Sequence, residues 1–369
     1  MSSGPLCGIR VLEFGALGPV PFCAMMLADM GAEVIHLARP GAPRYARHDV
    51  TLRGRRILPI DLKCTENRAQ VMDLVKGTNI LLEGHRPGVM ERLGLGPDVC
   101  LDANPRLIYG RMTGWGQKGP LAPTAGHDIN YIALTGALDA IGSHGGPPVP
   151  PLNLVGDYGG GAMFLGFGVL CAFIEAQRSG HGQVVDAAMV DGAALLMSLF
   201  HGFMARGQWI AQRGGNHLDG GAPWYGTYET ADGRYIAVGA LEEPFWQELL
   251  AKLQIDAATL PRREDRSGWP IIRAKLEQAF RQRERDVWAE VFAQSDACVS
   301  PILNLDEVAN HPHMAQRSSM IEVDGIMQPA PAPRFSRTPG KARPPIREDL
   351  TAANLLSEWS VRRRERSGV

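Results

Sequence analysis

Short apolar runs alternate with turns and helical stretches at the start of the chain. The order is run, turn, apolar helix and run, at Arg10–Phe14, 15–19, 21–30 and Glu33–Leu37, and further apolar runs stand at 56–61 and 79–83. Extended runs separated by helices are typical of parallel β-α-β units. The pattern therefore predicts an α/β first domain built on a doubly wound parallel sheet.

A different pattern begins after residue 190. The apolar run Ala193–Ala205 is broken by polar residues and glycine, and it is too short to span a bilayer. We interpret it as a buried helix and expect no membrane insertion. Strands at 226–230 and 234–239 flank Asp232-Gly233, a dipeptide that strongly favours a hairpin. This hairpin predicts a second domain, since 369 residues exceed what one hydrophobic core usually spans.

The composition limits which classes of binding partner and which cellular compartment we expect for the protein. A formal charge of −1 gives no reason to expect nucleic acid as a partner. The six cysteines are scattered without a C-x-x-C spacing, which indicates reduced thiols and a cytoplasmic protein. The first residues lack a basic region followed by an apolar one, so we expect no signal peptide. His311-Pro312-His313 has no Cys or acidic cluster beside it, and no metal site is predicted.

Cations near the predicted strand ends point to a phosphate-bearing ligand. The turn after the first strand carries Gly15 and Gly18 but not the full three-glycine dinucleotide fingerprint. Arg39 follows the second strand, where an NAD enzyme places an acid, and a cation there suits a ribose phosphate. NADP and coenzyme A both stay open. Further candidate phosphate partners are Arg53, Arg55, Arg56, Lys63, Arg86 and Arg92.

His127 and Asp157 are candidates for proton transfer. Histidine titrates near neutrality and a partly buried carboxyl can be raised towards it, so the two suit acid and base roles on opposite faces of one carbon. Glycines in both segments let a substrate approach the backbone. The alternative is a helix-capping aspartate and a histidine packed in the core.

Four longer motifs carry a family resemblance. They are Glu83–Val89, Met112–Pro120, Gly126–Tyr131 and Asn153–Gly161. In this order they resemble the α-methylacyl-CoA racemases, a branch of the family III CoA-transferases, and the resemblance runs from about Gly8 to Ser336. It implies a coenzyme A thioester as substrate, a Rossmann-like large domain with a smaller α+β domain, and an interlocked homodimer. Coenzyme A would then be part of the substrate, and no separate cofactor is expected.

The resemblance also implies site residues. His127, oriented by Asp128 or a nearby group, would serve one enantiomer and Asp157 the other. Glu242, at a predicted strand-to-helix corner, would be a third acid brought by the partner subunit, with helix capping as the alternative. Substrate and coenzyme A would be bound by Arg39, Ile60, Asp61, Leu62, Lys63, Gly84, His85, Arg86, Arg92, Gly126, Ile129, Asn130 and Tyr131.

Pattern and resemblance together divide the chain into four parts. We predict a large coenzyme A-binding domain over 1–190, a helical linker over 191–224, a small α+β domain over 225–320, and a return segment over 321–369. The first turn of an apolar helix at Ala162–Glu175 offers N–H donors for an enolate oxygen, or packs through small residues.

Four methionines either form a flexible apolar surface for the acyl tail of the substrate or fill the core. They are Met112, Met163, Met189 and Met197.

The predicted reaction is racemisation at C2 of 2-methylacyl-CoA thioesters through an enolate. The alternative within the same fold is a CoA-transferase in which Asp157 is the nucleophile. A catalytically idle coenzyme A-binding protein is the alternative from another class.

Overall fold

The chain divides into two compact units. Unit 1 comprises Met1–Thr135, Leu152–Met197 and Pro312–Val369, and unit 2 comprises Gly136–Pro151 and Ser198–His311. The computed structural model describes residues 4–41, 47–346 and 350–367, with side chains as far as Val361 in the last helix. The four-part division stays a prediction. Residues 136–151 group with unit 2, although that division placed them in the large domain, because Arg213 hydrogen-bonds Asp139 and the carbonyl of Gly146.

The described residues form the following strands: β1 (Arg10–Phe14), β2 (Glu33–Ala38), β3 (Arg55–Pro59), β4 (Ile80–Glu83), β5 (Ile108–Thr113), β6 (Gln183–Ala188), β7 (Tyr225–Glu229), β8 (Tyr235–Gly239), β9 (Val299–Pro301), β10 (Met320–Val323) and β11 (Ile326–Pro329). The helices are α1 (Pro19–Asp29), α2 (Thr65–Val75), α3 (Val89–Arg92), α4 (Pro97–Ala103), α5 (Asp128–Ala133), α6 (Ala137–Ala140), α7 (Met163–Ser179), α8 (Met189–Leu196), α9 (Ser198–Ala205), α10 (Glu243–Leu253), α11 (Trp269–Phe280), α12 (Arg285–Phe292), α13 (Pro312–Gln316) and α14 (Ala352–Ser367).

Unit 1 is built on a six-stranded parallel sheet in the order β3-β2-β1-β4-β5-β6. This is the strand order of doubly wound dinucleotide-binding folds. Apolar residues of β1, β4 and β5 pack on both faces, against α1 and α7 on one side and α2 and α14 on the other. The predicted α/β class with a parallel sheet is confirmed.

Unit 2 contains a three-stranded antiparallel sheet, β7-β8-β9, covered by α10, α11 and α12. The hairpin predicted around Asp232-Gly233 is confirmed, with Glu229 opposite Tyr235. The single buried helix predicted at Ala193–Ala205 is wrong. Two helices, α8 and α9, meet near Met197, and α9 contains no buried residue.

The helix that follows Asp157 is longer than the sequence predicted. A π-helical turn, Leu154–Ala162, continues into α7 without a break, so that Leu154–Ser179 is apolar and long enough to cross a membrane by length and composition. One face of α7 instead packs into the core of unit 1 through Leu165, Val169 and Ala172. The helix is therefore part of the core of unit 1.

Candidate active site

Asp157 lies in the π-helical turn and is half-buried. Turns of this kind occur frequently at functional sites. Its Oδ2 accepts a hydrogen bond from Asn153 Nδ2 at 3.2 Å. A Cβ atom added to Gly18, in the β1–α1 turn, would lie 3.0 Å from the same oxygen, and Gly18 has φ +69°. The turn therefore needs glycine both for its conformation and for its close approach to the carboxylate.

The side chain of Asp128 holds the backbone of Asp157. Its side chain is 6% exposed, and Oδ2 accepts a hydrogen bond from the Asp157 backbone N–H at 2.7 Å. Gly156 makes room for it, since a Cβ there would lie 2.6 Å from Oδ2. Within the described part of the chain, Oδ1 is buried and has no hydrogen-bond partner. The carboxylate thus holds Asp157, whereas the sequence assigned it to orienting His127.

His127 is the N-cap residue of α5, and its side chain is exposed. Its backbone N–H donates to Asn130 Oδ1 at 3.0 Å, which fixes the start of the helix. The core-packed alternative for His127 is therefore wrong. The structure brings His127 near Asp157, since a positive charge on the histidine lowers the pKa of that carboxyl.

The net effect of its surroundings is to raise the pKa of Asp157. Burial is the largest cause, and the negative charge of Asp128 adds to it, whereas the Asn153 hydrogen bond and His127 oppose both. The raised pKa means that Asp157 keeps its proton to a higher pH than an ordinary aspartate. Such a carboxyl can serve as a proton donor as well as an acceptor.

The side chain of Tyr131 is held in place by packing and by a hydrogen bond. It is 6% exposed, its hydroxyl donates to the carbonyl of Gly126, and its ring meets Trp115 edge-on at 4.8 Å. Gly114 is required here, since its Cβ would lie 2.1 Å from the tyrosine ring. Ile129 is 42% exposed. Of the predicted binding residues in this motif, Tyr131 therefore has a packing role.

Some predicted coenzyme A-binding residues gather at the carboxyl ends of the parallel strands. Arg39 is exposed directly after β2, and burial together with the positive charge of Arg39 lowers the pKa of His85, which follows β4. Arg39 and His85 are therefore near each other. Gly84 is required by packing, because a Cβ there would lie 2.9 Å from Ala16 Cβ. Arg86 is exposed.

The remaining members of the set differ in exposure. Lys63 and Arg92 are exposed, and Asp61 accepts the Lys63 backbone N–H at 2.9 Å. Leu62 is half-buried, and Ile60 is part of the core at 6% exposure. Only the backbone of Ile60 is thus left to contact a ligand.

Three of the candidate phosphate partners are wrong. Arg55 is fully buried and pairs with Glu13, Nε to Oε2 at 3.0 Å. Arg53 is 3% exposed and pairs with Asp29, and Arg56 pairs with Glu33. A guanidinium that is buried and already satisfied by a carboxylate is not available to a phosphate.

Two other predictions from the sequence need correction. The helix α7 does not begin with free donors, because the N–H of Met163 donates to the carbonyl of Tyr158 in the π-helical turn. The prediction that the first turn of α7 offers free N–H donors to an enolate is therefore wrong.

The four methionines predicted at the acyl tail differ in burial. Met112 and Met189 are 3% and 7% exposed and fill the core, whereas Met163 is 52% exposed. Met197 is partly exposed.

Glu242 is the N-cap residue of α10 in unit 2. Its side chain is exposed and makes no capping hydrogen bond, which removes helix capping as an explanation. Its position relative to Asp157 stays a prediction.

Two residues that contact Asp157 could have been found from the sequence but were not singled out for that role. Asn153 stands four residues before it, and Gly18 stands in a turn already singled out for its glycines.

Comparisons with known proteins place the chain. It is 44% identical over 336 residues to the alpha-methylacyl-CoA racemase of Mus musculus, covering 90% of this chain and 87% of that one. The Homo sapiens alpha-methylacyl-CoA racemase is 43% identical over 367 residues, covering 98% and 94%. A CAIB/BAIF family protein from Brucella suis has the same fold, with a TM-score of 0.82 at 24% identity over 97% of this chain and all of that one. The defining pattern of CoA-transferase family III matches residues 6–347, and the chain therefore belongs to the family III CoA-transferases.

Proposed function

We propose that the protein racemises 2-methylacyl-CoA thioesters at C2 by proton transfer between the substrate and two residues, His127 and Asp157. The observation that carries this proposal is the pairing of a raised-pKa carboxyl with a nearby exposed histidine. The similarity to mouse and human alpha-methylacyl-CoA racemases supports the substrate class.

The reaction needs one proton carrier on each face of C2. The thioester carbonyl acidifies the C2 hydrogen, and His127 removes it from one enantiomer to leave a planar enolate. Protonated Asp157 then returns a proton to the opposite face, and the reverse sequence serves the other enantiomer. The support that Asp128 gives to the Asp157 backbone holds one carrier in place during both directions.

Glu242 is the proposed third acid. Two close carboxyls share a proton and titrate as a coupled pair. A glutamate beside Asp157 would therefore help to keep that residue protonated when it must donate. We assign this glutamate to the partner subunit, so that a monomer lacks a complete site.

An exposed apolar stripe on α7 supports assembly into a homodimer. Met163, Phe167 and Ile174 are 52%, 70% and 57% exposed and recur at helical spacing. Contiguous exposed apolar surface of this kind marks interaction sites. We propose a second copy of this chain as its occupant, in an interlocked arrangement.

Exposed cationic side chains are the proposed ligands of the coenzyme A part of the substrate. Arg39, Lys63, Arg86 and Arg92 are available to the phosphates of coenzyme A. We propose no separate cofactor, no metal and no nucleic acid partner, and we assign the enzyme to the cytoplasm.

The transferase alternative uses Asp157 differently. Asp157 would attack the thioester to form a mixed anhydride and release the coenzyme A thiolate. The thiolate would then attack the aspartyl carbonyl, which forms an aspartyl-CoA thioester and releases the acyl group as a free carboxylate. A nucleophilic carboxylate must be deprotonated, which the net raised pKa of Asp157 disfavours, and nucleophilic attack has no use for the second proton carrier that His127 provides. These features favour proton transfer.

A single-enantiomer 2-methylacyl-CoA incubated with the protein in deuterated water separates the alternatives. Racemisation predicts loss of optical activity with deuterium at C2. Transfer of coenzyme A to an added free acid without deuteration would establish the transferase instead. Neither reaction would be seen from an idle binding protein.

A further inference from the structure

Glu242 projects from a corner between a strand and a helix. Strand β8 ends at Gly239 and α10 begins at Glu243. Glu242 itself has φ −77° and ψ 148°, an extended conformation. Its side chain is exposed and makes no capping hydrogen bond with the start of α10. The carboxylate of Glu242 is therefore free to reach a ligand or another chain.

Arg263 binds this corner through residues before and after Glu242. Its Nη2 donates to the carbonyls of Ala240 and Leu241 at 3.2 Å and 2.6 Å, and its Nη1 donates to Glu243 Oε2 at 3.1 Å. One planar fork thus joins backbone before Glu242 to the side chain after it. Arginine suits this task because its donors are held in a fixed geometry.

Two buried tryptophans fix the guanidinium in turn. The Arg263 Cζ lies 4.2 Å from the ring centre of Trp224 and 5.3 Å from that of Trp246. These indoles are 1% and 4% exposed. A cation over an aromatic face is attracted by the ring quadrupole. The Arg263 side chain, at 16% exposure, therefore has a rigid support.

The side chains of Leu241 and Glu243, next to Glu242, contribute little packing to the corner. Leu241 and Glu243 border a cavity of about 720 Å³ that Arg263 also lines, and Leu241 is 36% exposed. Atoms next to open space lack the many weak contacts that hold a packed segment. Buried Ala240 and the hydrogen bond from the Trp246 N–H to the Glu242 carbonyl at 3.0 Å also hold this backbone, and the Arg263 fork adds the link between Ala240, Leu241 and the Glu243 side chain.

We propose that Arg263 is the positioning residue for Glu242. The inference rests on the proposed function, in which Glu242 is the third acid. Arg263 touches neither substrate nor reacting atoms in this account, and acts by fixing the point from which the glutamate side chain extends. A misplacement of about 1 Å at a catalytic group costs up to about 10²-fold in rate.

The first test compares three variants of the full-length protein in racemisation of a 2-methylacyl-CoA. Arg263→Ala should lower kcat about tenfold or more while leaving KM for the thioester near the wild-type value. Arg263→Lys should recover part of the loss, because the ammonium keeps the charge but not the fork. The matched control is Arg262→Ala, since Arg262 is 86% exposed and pairs with Glu264, and it should behave as wild type.

A double-mutant cycle with Glu242→Gln decides whether Arg263 acts through the glutamate. Arg263→Ala should add little to the loss already caused by Glu242→Gln, and the two single variants should shift the pH profile of kcat in the same direction. Thermal unfolding of Arg263→Ala checks that the variant folds, and Arg263→Lys replaces it in the cycle if it does not.

The outcomes separate this inference from the proposed function. The role of Arg263 would be overturned, and the proposed chemistry left standing, by either of two results. One is that the losses of kcat caused by Arg263→Ala and Glu242→Gln multiply in the double variant, and the other is that Arg263→Ala keeps the wild-type kcat. A wild-type enzyme that neither racemises nor exchanges the C2 hydrogen, or a Glu242→Gln variant with wild-type kcat and pH profile, would overturn the proposed chemistry and the inference with it.

Discussion

The carboxylate of Asp128 accepts a hydrogen bond from the backbone N–H of Asp157 at 2.7 Å. One acid thereby holds another at the start of an apolar helix, and both are shielded from water to different degrees. Asp128 fixes the position of Asp157 and also adds negative charge beside it, which helps burial to raise the Asp157 pKa. The same contact therefore fixes the position of the proposed proton carrier and contributes to its protonation.

Removing the charge of Asp128 should move the pH profile in one direction. In Asp128→Asn an amide oxygen can still accept the Asp157 N–H, but the neighbouring negative charge is lost, so the pKa of Asp157 should fall. The half-reaction in which Asp157 donates a proton should then lose rate at a lower pH than in the wild type. C2 exchange measured against pH checks this. Asp102→Asn, on the exposed face of α4, should leave the profile unchanged, and an upward shift in Asp128→Asn would contradict the account.

Gly18 should be sensitive to substitution for two separable reasons. Gly18→Ala combines an unfavourable φ of +69° with a Cβ 3.0 Å from Asp157 Oδ2. The matched variant Gly94→Ala has φ +70° with nothing within 4 Å. Backbone strain at positive φ should cost each variant about 1 kcal/mol or more, and Gly18→Ala the more because its ψ of −113° lies outside the left-handed helical region. Only Gly18→Ala should lower proton exchange that depends on Asp157. Equal activity in the two variants would show that Gly18 does not contact the working carboxylate.

Breaking the buried ion pair of Arg55 and Glu13 should cost more free energy of unfolding than breaking an exposed ion pair. Both side chains are fully buried, and Arg55 lowers the pKa of Glu13 against the opposing and larger effect of burial. The neighbouring His36, with Nδ1 3.2 Å from Glu13 Oε2, contributes to the same net lowering. Glu13→Gln leaves a buried guanidinium without a counter-charge and should cost about 3–5 kcal/mol in denaturant unfolding. Asp73→Asn, which breaks the exposed pair with Lys76, should cost no more than about 1 kcal/mol. Similar losses in the two variants would contradict this assignment.

The parallel sheet could be predicted because its strands are apolar runs set by local sequence. The roles of the arginines could not be read from position alone. Arg39 and Arg55 both stand near strand ends, but Arg55 lies within β3 and faces Glu13 of β1, whereas Arg39 lies beyond β2 in solvent. A carboxylate inside the apolar run Arg10–Phe14 was the available signal, since a buried charge needs a partner.

The contact of Asp128 with Asp157 joins residues 29 positions apart, and no local pattern specifies such a pair. It depends on how α5 and the π-helical turn pack in unit 1. The break of the predicted helix near Met197 and the continuation of α7 into the turn likewise follow from tertiary packing rather than from apolar periodicity.

Exchange of the C2 hydrogen by single-base variants tests the central claim most directly. Each enantiomer of a 2-methylacyl-CoA is incubated in deuterated water with His127→Ala and with Asp157→Asn, and deuteration at C2 and inversion are measured separately. Loss of a positioned acid or base costs about 10²–10⁴ in rate, so inversion should fall at least that far in both variants. Each variant should still deuterate the one enantiomer served by its remaining base, and the two variants should retain opposite enantiomers. Near-normal inversion by His127→Ala, or retention of the same enantiomer by both variants, would contradict the two-base assignment.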